Sequence, residues 1–349
     1  MRLDHIFRCI LLCSGFLLAG CGDPDADDLW QDYHERLARL TDVAVPTATA
    51  VPRPRWPDRR ELLVTLPEWR TGLLGWLELL DCDLMELVAE RNSVLGRVQV
   101  PARRLIYEQT FVARGQTCLA DPQLEPALRQ WLEGLLDEKR AALPALYHNA
   151  TLASEELRNF LATGPVPGTT PLWPTARETV QALNLLAVER TRLEAGETAA
   201  RTDELAAALE LLDKTRGGVI IDAMAPAIDG LTRASQMLEQ VDSARLCPRG
   251  QASERARWLR NVLDRIYASR VQPWLSDVWR GSDELNGGLG ALIAASGHPA
   301  PAAAWLDAVA GTGGLREQMA SAMARHTEAW QRLLGDCGLM PERAIGSAP

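Results

Sequence analysis

The sequence lacks the short motifs that mark most metalloenzymes and hydrolases. It has no CxxC, HxxxH or HExxH spacing, no GxSxG or SxxK, and no glycine-rich phosphate loop. Four histidines lie outside the N-terminal segment, scattered and without a partner motif: His34, His148, His298 and His326. The sequence therefore predicts no catalytic residue, no bound cofactor and no metal site. An enzyme of the cell wall or of lipids is the least favoured functional class.

Basic residues are scarce relative to acidic ones. The 349-residue chain has 37 Lys and Arg against 46 Asp and Glu, which gives a net charge of −9 at neutral pH. Proteins that bind nucleic acid present a positive surface that neutralises phosphates. The charge balance therefore argues against nucleic acid as a partner.

The first 21 residues, MRLDHIFRCILLCSGFLLAGC, are organised like a bacterial lipoprotein signal peptide. Arg2 and Arg8 form a positive n-region, and the apolar run 9–18 is too short to span a bilayer. The segment 18–21 (LAGC) matches a lipobox, in which a signal peptidase cleaves before the cysteine. The alternative is an ordinary secretion signal with an incidental cysteine. We expect residues 1–20 to be removed as a signal peptide.

Cys21 would then be lipidated and would hold the chain on a lipid bilayer. A diacylated cysteine with a further amide-linked chain exceeds what stable anchoring requires. Gly22, rather than aspartate, follows Cys21. The predicted location is therefore the periplasmic face of the outer membrane, with the inner membrane as the alternative.

The stretch 77–119 predicts a helical hairpin. Apolar residues recur at helical spacing on both sides of a break: Leu77, Leu80, Leu84, Leu87 and Val88, then Leu105, Ile106, Phe111 and Val112. The break itself contains Asn92, Ser93, Gly96 and Pro101. Cys82 and Cys118 are equally distant from residue 100, so an antiparallel hairpin brings them face to face.

Besides Cys21, the mature chain has four cysteines: Cys82, Cys118, Cys247 and Cys337. An even number in an oxidising compartment predicts two disulfides rather than a metal site. Three pairings are possible, and we favour Cys82–Cys118 with Cys247–Cys337. In the loop-entropy model each bond stabilises the fold by about 4 kcal/mol.

Residues 21–60 are predicted to connect the anchor to the body. An acidic tether, 22–28, leads into a short amphipathic helix, 29–41, with Asp27 or Asp28 as its cap. The apolar stripe of this helix either lies on the lipid surface or packs on the protein, and we favour packing. The following segment, 43–60, is rich in proline and arginine. It predicts an extended linker that either contacts anionic lipid or cell-wall carboxylates or, as we favour, is solvated.

The rest of the chain predicts an all-α, multi-helix bundle built on the disulfide-linked hairpin. We expect an N-terminal helical region at 61–163 and a C-terminal one at 175–349, separated by the Gly- and Pro-rich segment 164–174. Local expectations are a possible strand at 62–66, a Thr65–Glu68 capping box, a cap at Asp121-Pro122, and helices at 154–161, 175–195, 202–215, 300–310 and 314–335. We also expect a kink or split at Pro226, a break at Pro273 and a turn at Asn286-Gly287-Gly288.

Part of the hairpin resembles a known family. The run Glu90-Arg91-Asn92-Ser93-x-Leu95-Gly96, the segment Leu105-Ile106-Tyr107-Glu108, and the flanking Cys82 and Cys118 are similar to an uncharacterised proteobacterial lipoprotein family. That family is known as domain of unknown function 3080. The resemblance covers roughly residues 60–120 in detail, and it implies a lipoprotein but no activity.

Five polar residues of these motifs form a candidate cluster at the mouth of the hairpin: Arg91, Asn92, Ser93, Tyr107 and Glu108. In the functional interpretation, Arg91 and Glu108 bind a ligand or exchange protons. In the structural interpretation, Arg91 offsets the helix dipole and Asn92 adopts a left-handed cap. Ser93 then bonds the turn, and Glu108 pairs with a neighbouring arginine. We favour the structural interpretation.

Tryptophan is unusually frequent, with eleven residues against four phenylalanines. Such side chains stack on sugars, but several lie on apolar helical stripes: Trp69, Trp76, Trp131, Trp258 and Trp274. We therefore expect them in the core or at an interface. The favoured function is a non-enzymatic interaction or structural module of the cell envelope with an envelope protein as partner. The alternative is a lipoprotein that binds glycan, lipid or peptide in a groove.

Overall fold

The computed structural model of the chain describes residues 24–69, 82–93, 100–195, 197, 202–297 and 300–340. These residues form a multi-helix, all-α body, which confirms the predicted fold class. In the described ranges, β-type pairing is limited to an isolated bridge between Asp25 and Pro167. Several residues named above lie outside the described ranges: the signal peptide with Cys21, Trp76, Leu77, Leu80, Leu95, Gly96 and His298.

The helices in the N-terminal half are α1 (Ala26–Thr41), α2 (Arg59–Leu62), α3 (Met85–Asn92), α4 (Pro101–Leu119), α5 (Pro126–Thr151) and α6 (Glu155–Phe160). Those in the C-terminal half are α7 (Ala176–Glu194), α8 (Thr202–Lys214), α9 (Gly218–Glu239), α10 (Ser243–Leu246), α11 (Glu254–Val262), α12 (Gln272–Ala295), α13 (Ala300–Ala310) and α14 (Leu315–Asp336). A 3₁₀ turn, Pro248–Gly250, precedes α11, and a π-helical segment, Leu263–Val271, joins α11 to α12.

Helix α1 is part of the core. The predicted apolar stripe is buried, with Tyr33 and Leu37 wholly inaccessible to solvent. It packs against α9 and α11, so the helix lies on the protein body and not on a lipid surface. The predicted cap was misplaced. The carboxylate of Asp25 accepts a hydrogen bond from the Asp28 N–H at 2.9 Å, and the helix begins at Ala26.

Residues 43–58, the strap, have no regular secondary structure, and they are not a solvated linker. The Trp56 ring packs edge-on against Trp305, with 4.9 Å between the ring centroids. The Arg53 guanidinium Nε lies 2.8 Å from Asp222 Oδ1, in an ion pair that is largely buried. These contacts hold the strap across the C-terminal helices, so Arg53 is not available to anionic lipid.

The segment after the strap contains neither the possible strand nor the helix start predicted at Thr65. Residues 63–69 have no regular structure. The Asn149 side chain explains why a strand partner is not required. Its Oδ1 accepts from the Val64 N–H at 2.9 Å, and its Nδ2 donates to the Val64 carbonyl at 2.8 Å. One side chain thus satisfies the backbone groups that a neighbouring strand would pair.

The hairpin and both disulfides are confirmed. Cys82–Cys118 and Cys247–Cys337 each join Cα atoms 5.1 Å apart. Helix α3 ends at Asn92 and α4 begins with Pro101 at its first position, which reproduces the predicted break. Cys82 precedes α3 instead of lying within it.

The helix after the hairpin begins later than predicted. The Asp121 carboxylate accepts from the Gln123 N–H at 2.9 Å, which makes a tight turn instead of a helix cap. Glu125 caps α5 through the Leu128 N–H at 2.9 Å, and Pro126 occupies the first turn. The turn delays the start of the helix by four residues.

Proline and glycine do not interrupt the C-terminal helices where we predicted. Helix α9 continues through Pro226 without splitting. Pro273 sits in the first turn of α12, and the wider π-helical turns before it keep the chain helical. The predicted turn at 286–288 lies inside α12. A Cβ on Gly288 would come within 2.9 Å of Leu183 Cδ1, so this glycine allows α7 and α12 to approach closely.

The buried apolar residues form two clusters. The larger one extends from α1 to α14 and includes residues on both sides of 164–174, such as Leu146 and Leu183. The smaller one lies within the hairpin, between α3, α4 and the first half of α5, and contains the Cys82–Cys118 bond. The helices predicted at 154–161, 175–195, 202–215, 300–310 and 314–335 are present within one or two residues at each end.

Candidate functional site

The interior contains a buried ion pair between Glu108 and Lys139. Glu108 lies on α4 and Lys139 on α5, the two helices that pack most extensively in the described chain. The Lys139 Nζ donates to Glu108 Oε2 at 2.5 Å. The two residues are only 2% and 4% exposed. Charges removed from water to this degree are stable only when they are paired, so each group depends on the other.

Aromatic rings surround the ammonium group of this pair. Lys139 Nζ lies 4.2 Å from the ring centroid of Trp69, 4.4 Å from Phe111 and 5.7 Å from Tyr107. Such contacts attract a cation to the ring faces. Burial lowers the pKa of Lys139, and the Glu108 carboxylate opposes this shift. Burial raises the pKa of Tyr107, and the neighbouring Glu108 adds to the effect.

The five residues predicted as a polar cluster are only partly brought together. Tyr107 and Glu108 belong to the Lys139 site, and Arg91 is close enough for its charge to lower the pKa of Lys139. Asn92 ends α3 without a left-handed conformation, which contradicts its predicted role, and Ser93 takes the extended cap position. The partner of Glu108 is Lys139 and not an arginine, because Lys139 on α5 directly faces it.

A second polar contact links the hairpin to the body. The Gln109 Nε2 donates to Glu189 Oε1 on α7 at 3.1 Å. The other oxygen of Glu189 accepts from Arg192 at 3.2 Å. The motifs in the sequence did not single out Gln109, Lys139 or Glu189. The signal for Lys139 was present, because it occupies the same helical stripe as Leu132, Leu136 and Leu143, where a lysine requires a buried partner.

A second buried cluster lies between α1 and α14. Tyr33 Oη lies 2.8 Å from His326 Nε2, and the Trp330 Nε1 donates to Tyr33 Oη at 3.0 Å. Tyr267 packs on the imidazole, with 4.5 Å between ring centroids. In the described part of the chain, His326 Nδ1 has no hydrogen-bond partner. Burial lowers the pKa of His326 to about 3, with a smaller contribution from the charge of His34.

The pKa of His326 predicts an acid-sensitive fold. The folded pKa of about 3 is below the unfolded value, so the unfolded chain binds more protons between these values. The contribution of His326 to the free energy of unfolding is fully present above about pH 6.5. Between there and pH 3 it falls by about 1.4 kcal/mol per pH unit. At pH 5 we expect a loss of about 2 kcal/mol relative to pH 7.5. Urea unfolding at the two pH values measures it.

The matched variant for this prediction is His326→Gln, which keeps a polar side chain but does not titrate. Its free energy of unfolding should depend less on pH over the same interval, by about the 2 kcal/mol assigned to the imidazole. An equal pH dependence in both proteins would contradict the assignment. In that case another group carries the acid sensitivity.

The other buried histidines also have structural partners. His34 Nε2 lies 2.8 Å from the Gly230 carbonyl, and His148 Nε2 lies 2.6 Å from the Leu62 carbonyl. Within the described ranges, no group of three or more His, Cys, Asp or Glu residues is arranged to hold a metal ion. The buried ion pair and the hydrogen-bonded histidines therefore link separate parts of the fold through fixed polar contacts.

Open grooves lie elsewhere on the body. A groove of about 530 Å³ is bordered by the Pro-rich segment before α7 and by α12, with Pro171, Trp173, Arg177 and Asp277 among its lining residues. Trp173 itself is only 5% exposed. Helices long and apolar enough to cross a bilayer are not found among the described residues.

Comparison with known proteins identifies a family but no function. A family model described as "Protein of unknown function (DUF3080)" matches residues 30–341. No curated protein and no solved structure shows a significant match to the chain. The match extends well beyond the hairpin region that carried the resemblance in the sequence.

Proposed function

We propose that this chain, which belongs to the DUF3080 family of proteins of unknown function, is a lipid-anchored helical module of the bacterial envelope. In this proposal it works by binding another envelope protein and not by catalysis. Its place is the periplasmic face of the outer membrane, held there by acylated Cys21.

The observation that carries the proposal is the short stretch of sequence between Cys21 and the first residues that bond to the folded body. The Pro24 carbonyl accepts from the Gly168 N–H at 2.8 Å, and the Ala26 N–H donates to the Val166 carbonyl at 2.9 Å. Pro24 is three residues from Cys21, a reach of at most about 11 Å. An acyl group on Cys21 would therefore hold the folded body directly at the membrane surface.

The buried polar groups are bonded to other groups of the protein, and this supports a non-enzymatic role. Glu108 is paired with Lys139, and Gln109 is bonded to Glu189. His326 shares a buried hydrogen bond with Tyr33. Groups that act in proton transfer must reach a substrate, and these side chains face other parts of the protein instead. Their contacts join α4 to α5, α4 to α7, and α14 to α1.

Lipidation is tested with Cys21→Ser and a matched control, Cys13→Ser, which removes a cysteine inside the leader. We expect labelled fatty acid to be incorporated into the wild type and Cys13→Ser but not into Cys21→Ser. Membrane fractions should retain the first two proteins as cleaved, acylated chains, and Cys21→Ser should keep its uncleaved leader. Acylation of Cys21→Ser, or a cytoplasmic wild-type chain, would contradict the anchor.

The partner is sought by crosslinking in living cells, followed by capture of the anchored protein and mass assignment of proteins, muropeptides and lipids. A stoichiometric envelope protein supports the interaction module. That protein should also be captured by Cys13→Ser. Recovery of glycan, lipid or peptide without a protein partner would contradict it.

A second candidate function is ligand binding in the groove beside α7 and α12. The groove combines apolar surface from Pro171 and Pro174 with the charged side chains of Arg177 and Asp277. This combination of apolar walls and few polar groups is typical of ligand sites. The same capture experiment discriminates between the two functions, because a small ligand of the groove should be lost in Arg177→Ala.

A further inference from the structure

Helix α11 presents an exposed tryptophan flanked by arginines. Trp258 is 52% exposed, whereas every other tryptophan in the described ranges is buried or half-buried. Arg257, Asn261 and Arg265 are exposed on the same side. We call these four residues the Trp258 face. An exposed indole among cations is an unusual arrangement in a chain that places its other described tryptophans against protein.

The packing of α11 fixes this exposure. Ser253 caps the helix through the Ala256 N–H at 3.1 Å. Ala256, Leu259 and Val262 are buried and turn the apolar side of α11 toward α1. Helical periodicity then leaves Trp258 on the solvent side. The Trp258 face is thus a consequence of the fold and not of a loose segment.

The surroundings of the face are positively charged, although the whole chain is at −9. Residues 243–271 contain seven arginines and two acidic residues. Three of the arginines are paired: Arg255 with Asp42 at 2.6 Å, Arg270 with Asp32 at 2.6 Å, and Arg260 with Asp264 at 3.7 Å. Within the described chain four others have no acidic partner: Arg245, Arg249, Arg257 and Arg265. Glu254 is the remaining acid of this segment, so the local charge stays positive.

We propose that the Trp258 face binds the anionic phospholipid headgroups of the membrane that holds the protein. Arginines near an anionic leaflet are attracted by its surface potential, and an indole ring settles at the headgroup level. A charge of opposite sign to the rest of the chain favours an anionic partner, and the exposed indole favours a membrane interface over a purely ionic one. The inference rests on the proposed lipid anchor.

The fold places this face within reach of the bilayer. Arg255 binds Asp42 at the end of α1, and α1 begins at Ala26 beside the expected anchor. The 16 residues of α1 span about 24 Å. A body attached at Pro24 can therefore bring α11 to the same membrane. The single lipid attachment would become a two-point contact.

The test uses the unacylated chain from Gly22, which retains every contact described above, and vesicles of phosphatidylethanolamine with or without phosphatidylglycerol. We expect co-sedimentation with the anionic vesicles and little with the neutral ones, and loss of binding in 0.5 M NaCl. The triple variant Arg257→Glu, Trp258→Ala, Arg265→Glu should reduce the partition coefficient by about tenfold or more. Trp258→Phe should remove the blue shift of fluorescence on binding.

The matched control is Arg103→Glu with Arg158→Glu, which changes the net charge equally at exposed arginines on other helices. It should bind within about twofold of the wild type, because the interaction is local. Equal binding to neutral vesicles, equal loss in the control, or retention by an anionic protein or glycan in place of vesicles would overturn the inference. Because no acyl group is present, failure here leaves the anchor standing, and failure of Cys21 acylation leaves vesicle binding measurable.

Discussion

Replacing Lys139 by methionine is expected to lower the free energy of unfolding by about 3–5 kcal/mol. Methionine keeps an apolar stem between Trp69 and Phe111 but leaves the Glu108 carboxylate buried without its cation. The cost comes from the uncompensated charge and not from lost packing. Urea unfolding followed by circular dichroism measures the change directly.

An exposed Lys–Glu pair provides the control. Lys214 and Glu210 form an ion pair on the surface of α8, and Lys214→Met should leave the urea midpoint unchanged within error. Both variants remove one lysine charge, so a difference between them reports burial alone. If Lys139→Met cost less than about 1 kcal/mol, the pair would not be a buried ion pair in solution.

The double variant, Lys139→Met with Glu108→Leu, separates the cost of leaving one charge unpaired from the effect of removing the whole ion pair. Replacing a buried pair by apolar residues of similar volume is often neutral, so the double variant should recover most of the lost stability. It also tests the two interpretations of the polar cluster. A structural pair can be replaced without loss of the captured envelope partner, whereas a binding or proton-transfer site cannot. Loss of the partner from a stable double variant would favour the functional interpretation.

The elements that the sequence predicted well are those whose evidence is local. Helices α7, α8, α13 and α14 follow from apolar periodicity over many residues, and each ends near the predicted residue. The disulfides follow from cysteine number and from the symmetric position of Cys82 and Cys118 about the break. The helices thus follow from a pattern within one segment, and the cysteine pairing follows from the number of cysteines and the compartment.

The errors arise where a distant side chain decides the local structure. Gly288 predicts a turn when read alone, but in the fold it is the point where Leu183 approaches α12. Val64 looks like a strand residue, but Asn149 supplies its hydrogen bonds from 85 positions away. The strap reads as a solvated linker until Arg53 meets Asp222. Tertiary contacts override propensity at each of these positions.

The sequence predicted only part of the candidate site, again because the partner residues lie far away in the chain. Glu108 was recognised from its motif, but its partner lies 31 residues later on another helix. A lysine on an apolar stripe signals a buried partner without naming it. His326 and Tyr33 are 293 positions apart, and no spacing in the sequence relates them.

Replacing Cys247 and Cys337 together by alanine is expected to lower the free energy of unfolding by about 4–5 kcal/mol. The bond closes a loop of 90 positions and ties the turn before α11 to the end of α14. Both cysteines are 2% exposed, so alanine avoids a buried polar group. Reduction of the wild type should produce a larger shift than reduction of the variant, because the variant has already lost this bond.

The comparison with the hairpin bond makes this prediction specific. Cys82–Cys118 spans 36 positions, for which the loop-entropy model gives about 4 kcal/mol. That bond lies in the smaller apolar cluster, so its removal should increase amide exchange first in α3 and α4. Removal of Cys247–Cys337 should instead increase exchange in α14 and in the turn that precedes α11. Identical exchange patterns in the two variants would contradict this division.

The combined loss of both disulfides approaches the whole stability of a typical domain. A chain expressed without its leader in a reducing cytoplasm should therefore be degraded faster than the exported chain, and equal half-lives would show that the fold does not depend on oxidation.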